Sequence, residues 1–108
     1  MPSPWETFVD SLIAGGKQIA KDEMKSLVSG AKYDANEFVR TQGQKLERYL
    51  NLLGAGQISK EEFELWVQDL KRLTEMQASE LEVLAKASAQ RLVAGITDLV
   101  INGLMKVV

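Results

Sequence analysis

Residue types and spacing come nearest to chemistry in the stretch Leu52-Leu-Gly-Ala-Gly-Gln-Ile-Ser-Lys-Glu-Glu-Phe63. One chemistry to test there is phosphate binding. A phosphate loop needs a glycine directly before Lys-Ser/Thr, so that backbone N–H groups wrap the phosphates, and it follows a buried strand. Counting from Gly54, Ser59 stands where that glycine belongs, and Glu61 follows Lys60 where the magnesium-binding hydroxyl belongs. A carboxylate at that point sets negative charge beside phosphate, which removes the reading.

The second chemistry is calcium binding. Gly56 to Phe63 resembles the second half of an EF-hand loop, with Gly56 as the turning glycine, Ile58 at the apolar position, Ser59 as a water-mediated ligand and Glu62 as the closing carboxylate. In the first half Asn51 can open the loop, but Leu53 and Ala55 occupy positions that require oxygen donors. The remaining reading is a turn between helices, and it accounts for every residue. Gly54 or Gly56 ends one helix in the left-handed conformation. Ser59 caps the next with Glu62 as its box partner, while Ile58 and Phe63 form a hydrophobic staple.

Elsewhere the catalytic vocabulary is short. The 108 residues include no histidine and no cysteine, which excludes disulfides, zinc sites, thiol nucleophiles, Ser-His and Cys-His catalysis and the Glu-x-x-His di-iron constellation. The carboxylates, lysines and two tyrosines fall into no catalytic pattern, so no enzyme activity and no cofactor or metal is expected. A net charge of -2 gives no electrostatic basis for binding nucleic acid. The N-terminal stretch, with Glu6 and Asp10 among its apolar residues, does not read as a secretory signal. Leu92 to Val108 is apolar but short for a membrane span and interrupted by Asp98, Asn102 and Lys106. A cytoplasmic protein is the expectation.

The elements that position these residues are helices. No proline follows Pro4, and Ala, Leu, Glu, Lys and Gln predominate. Ser3 as N-cap, Pro4 at the first helical position and Glu6 as box partner predict a helix start. From there apolar residues recur at three- and four-residue steps through Val9, Ile13, Met24, Phe38, Leu46 and Leu53, and again from Phe63 through Leu70, Leu81, Leu92, Ile96, Leu99, Gly103 and Val107. The chain, residues 1–108, therefore reads as one all-α domain: a helix at about 4–53, a turn at about 54–58 and a helix at about 59–106. Each arm would be about 70 Å long at 1.5 Å per residue, and the two would form an antiparallel hairpin that dimerises into a four-helix bundle. Small secreted helical hairpins with a Trp-x-Gly turn share this outline, although this turn has no tryptophan.

An alternative is a compact monomeric four-helix bundle. A helix could stop at Gly30 and restart with Asp34 as N-cap, Glu37 as box partner and Tyr33 stapled to Phe38, and a second break could fall near Ser79. In the hairpin, apolar residues crowd the open end. Leu99, Val100 and Ile101 point around most of a turn, more than two helices can cover. Trp5, Phe8, Leu12, Ile13, Leu92, Ile96, Leu99, Val100 and Leu104 are accordingly the expected interface. Gly15-Gly16, Gly95 and Gly103 call for a close helix approach or a local bend, since glycine weakens a helix interior. Residues 61 to 82 carry seven acids and two bases, whereas 86 to 108 carry three bases and one acid, an asymmetry able to set the register of an antiparallel neighbour.

The functional expectation is a non-enzymatic interaction protein, a scaffold, adaptor or assembly subunit, that self-associates and binds a protein partner through apolar helix faces. The alternative is a membrane-active amphipathic protein whose Lys17, Lys21 and Lys25 face meets anionic lipid.

Overall fold

The computed structural model describes residues 3–108. Its helices are α1 (Pro4–Ala14), α2 (Lys21–Lys32), α3 (Glu37–Gly54), α4 (Lys60–Ala78) and α5 (Val83–Gly95). The last continues without a break through π-helical turns over Ile96–Leu104 into a final turn, α6 (Met105–Val107). No strand occurs among the described residues.

The expected arms of about 70 Å are not continuous; the longest dimension of the molecule is 42 Å. The first arm breaks twice. At Gly15-Gly16 the left-handed Gly16 (φ 88°) closes a Schellman motif, its N–H donating to the Ile13 carbonyl (2.9 Å) and that of Lys17 to Leu12 (3.2 Å). At residues 33–36 the break lies close to the alternative reading, but the cap is Asn36, whose side chain accepts from the Val39 N–H at 3.1 Å. Asp34 instead accepts from the Asn36 N–H at 2.8 Å, Gly30 stays inside α2, and Tyr33 is exposed. The second arm breaks at residues 79–82. The apolar steps run through all three breaks because the helices on either side face one core, so an unbroken stripe does not require an unbroken helix.

The turn between α3 and α4 takes the predicted form. Gly56 (φ 72°) is the left-handed residue of a second Schellman motif, with Gly56 N–H donating to Leu53 and Gln57 N–H to Leu52. Gly54 stays helical and gives room to α1; a Cβ there would lie 2.7 Å from the Pro4 carbonyl oxygen. Beside it the Asn51 side chain accepts from the Trp5 N–H (3.2 Å), satisfying a first-turn donor of α1 from another helix. Ser3 and Pro4 start α1 as expected, although the Ser3 hydroxyl donates to the Glu6 carboxylate (3.0 Å) rather than capping a backbone N–H.

Four helices close a ring: α2 packs on α3, α3 on α4, α4 on α5 and α5 back on α2, with α1 laid mainly against α3. Trp5, Met24, Leu46, Leu50, Phe63, Leu92, Ile96 and Leu104 fill the interior. Two glycines are explained by close approach. A Cβ on Gly43 would lie 2.5 Å from the Lys32 backbone nitrogen, and one on Gly95 would meet the Leu27 side chain at the same distance.

The crowded run Leu99-Val100-Ile101 is resolved by the π turns. An α-helical stripe continues from Leu92 and Ile96 to Leu99, Gly103 and Val107, but the residues found buried are Ile96, Val100 and Leu104. Four-residue steps in an α-helix advance by about 40° each, and the extra residue in each i→i+5 turn counteracts that drift. Val100 and Leu104 thereby stay inside while Leu99 and Ile101 pack half-buried at the edge.

Candidate interaction surface

The residues expected to form an interface are mostly used within the chain. Trp5, Leu92, Ile96, Val100 and Leu104 are buried in its own core, Phe8, Leu12 and Leu99 are half-buried against it, and Ile13 is 41% exposed. The compact fold has enough helices to cover what a two-helix hairpin would leave open.

Apart from Ile13, exposed large apolar side chains lie in two regions: Tyr33, Val83 and Leu84 at the α2–α3 and α4–α5 connections, and Leu65, Leu73 and Met76 along α4, where the junction with α3 also forms a groove. The short turn makes these helices antiparallel neighbours, and their inward positions bury Leu46, Leu50 and Leu53 on α3 and Phe63, Val67 and Leu70 on α4. One step off that stripe, the Tyr49 and Trp66 rings meet with centroids 5.3 Å apart and planes inclined at 59°. Beside them lies an open groove of about 460 Å³, with Leu52, Leu70 and Leu73 adding apolar lining and Lys45, Arg48 and Asp69 supplying charge. Neither Lys45 nor Arg48 forms a salt bridge among the described residues. Further round α4, Leu65 and Met76 are each 65% exposed.

The sequence carried a signal for this surface. That signal is partial: Tyr49 and Trp66 follow the apolar stripe and read as core, whereas Leu65 and Met76 fall outside the stripe and mark the outer face of α4 rather than the groove.

The remaining candidates have structural partners. Glu62 accepts from the Ser59 N–H (3.1 Å) while Ser59 Oγ accepts from the Glu62 N–H (3.0 Å), so the carboxylate of the calcium-like segment is part of a helix cap. The lysine row is divided between the loop before α2 and α2 itself. Lys17 Nζ donates to the Val107 carbonyl (2.6 Å), Lys21 to Asp10, and Lys25 lies 3.5 Å from Glu6. These bonds tie α1 and the C-terminal turn to the α2 region. The bond to Asp10 raises the Lys21 pKa above its usual value. For Glu6, burial works upward, but the Ser3 hydrogen bond and the Lys25 charge together leave its carboxyl below the usual value.

Among the described residues no three metal-ligating side chains come together, and no helix is long and apolar enough to cross a membrane. No protein-family model matches the chain, and comparison with curated proteins and with solved structures gives no significant match.

Proposed function

We propose that the protein acts by binding other proteins rather than by catalysis, and that its working surface is the groove between α3 and α4. The observation that carries this reading is the groove itself: an aromatic and aliphatic lining rimmed on α3 by Lys45 and Arg48, neither of which has an ion-pair partner among the described residues, and on α4 by Asp69, which is already paired with Arg72. Such a surface fits an amphipathic helix whose apolar residues enter the groove and whose acidic residues meet the two cations. The apolar contacts would supply most of the affinity, and the charges orientation and rate.

The test is selection of binding helices from a displayed peptide library, followed by tryptophan fluorescence. Trp5 is buried, so a change in emission on binding reports Trp66. The expected binders are amphipathic and acidic, lose affinity with rising salt, and are lost with Leu73→Glu while the circular dichroism is unchanged. Binders indifferent to both Leu73→Glu and Arg48→Glu would overturn the assignment.

A further inference from the structure

The outer face of α4 carries a short pattern that matches itself when reversed. Leu65, Asp69, Arg72 and Met76 are spaced by four, three and four residues, so at 3.6 residues per turn they lie within an arc of about 60°. All four are exposed; Leu65 and Met76 are each 65% accessible, and the Asp69 and Arg72 side chains 72% and 70%. Read in either direction the strip begins and ends with a large apolar residue and holds opposite charges between.

The geometry points to a second copy of this chain as the partner of α4, the two helices mated antiparallel along this strip. A two-fold axis between residues 70 and 71 sets Leu65 of each copy against Met76 of the other and Asp69 against Arg72. The four-three-four spacing keeps all four side chains on one seam between two helices, with apolar contacts at its ends and opposite charges at its centre. A parallel arrangement would instead oppose Asp69 to Asp69 and Arg72 to Arg72, so the charges select the direction. In one copy Asp69 and Arg72 are 3.3 Å apart as an exposed pair on a single helix turn, worth little by itself, and both can exchange partners across the axis. The interface is isologous and closes at two copies. It is small: α4 is 19 residues, about 28 Å, so association should be weak and concentration-dependent.

The inference rests on reading α4 as the working helix of an interaction protein; Asp69 also lines the groove, so Arg72→Asp is the variant that separates the dimer from helix binding there. Solution mass is measured by light scattering on the full chain from about 1 to about 100 µM. The expected result is a rise from 12.0 kDa toward twice that value. Asp69→Arg and Arg72→Asp should each remain monomeric, because each makes both facing pairs like-charged. Mixing the two variants should restore the doubled mass, and so should the exchange Asp69→Arg/Arg72→Asp in one chain. All four positions are exposed, so circular dichroism should be unchanged throughout. A monomer at every concentration, or a dimer indifferent to Asp69→Arg, overturns the inference. Groove binding of a helix by monomeric Arg72→Asp would leave the proposed function standing when the dimer fails, since Arg72 does not line the groove.

Discussion

Where the α3–α4 turn, α1 and the C-terminal turn gather, the interior is built from Trp5, Leu50, Phe63 and Leu104, whereas between the α2–α3 and α4–α5 connections it narrows to Val39, Ala78 and Ala89. The wide end is held by apolar area. At the narrow end the α2 and α3 backbones approach at Ala31 and Gly43, and buried Gln42 donates to Thr74 (2.9 Å), which in turn donates to the Leu70 carbonyl (2.7 Å). Large apolar side chains there remain outside: Tyr33, Val83 and Leu84 are 77%, 82% and 81% exposed. The difference teaches that one bundle can use bulk for stability at one end and close fit for specificity at the other.

Substitutions can break that contrast in order of size, read by chemical denaturation. Phe63→Ala empties the wide end and should cost about 3–5 kcal/mol, a large part of a small domain's stability. Gly43→Ala forces α2 and α3 apart and should cost about 1–3 kcal/mol by overpacking, although alanine is the better helix former. Thr74→Val leaves the buried Gln42 amide without its partner and should cost about 1–3 kcal/mol, while Gln42→Leu combined with Thr74→Val should recover most of the loss. Recovery sharpens the comparison, because it would show the polar pair serving specificity rather than net stability. Leu84→Ser should change stability by no more than about 0.5 kcal/mol, and a larger loss would mean that the narrow end buries more than its interior residues.

The smallest expected effect is on pH. The Glu47 hydrogen bond raises the Lys32 pKa above its usual 10.5, across the α2–α3 contact. Its contribution is therefore complete below that value and lost as pH rises through the higher folded value. The half-buried pair should account for about 0.5 kcal/mol or less, measured as alkaline loss of stability relative to Lys32→Met.

Much of the fold was legible where local chemistry decides it. The Ser59-Glu62 capping box, the Gly56 turn and the Ser3-Pro4 start are written in adjacent residues. The lengths of the helices were not, because Gly15-Gly16 and the Asp34-Asn36 region end helices without disturbing the three- and four-residue apolar rhythm. The α2–α3 break was half legible: a helix restart near Asp34 and Glu37 was evident, but Asn36 rather than Asp34 holds the cap. The surface was hardest to read. An apolar residue on the stripe looks the same whether its partner lies in this chain or another, and only the positions of the other helices place Trp5 and Leu92 inside and leave Leu73 38% exposed.

The wide turns of Ile96–Leu104 imply an unusual tolerance of length. Removing one residue from an α-helix rotates everything beyond it by about 100° and normally takes the buried face out of the core. Here the segment already stands one residue ahead of an α-helical phase. Deleting Asp98, which is exposed, would move Val100 and Leu104 to the places that an uninterrupted α-helix reserves for residues 99 and 103. The shortened helix should therefore keep both side chains in the core, whereas loss of a single residue from the middle of α4 should turn the buried residues beyond it, such as Thr74 and Ala78, out of the core.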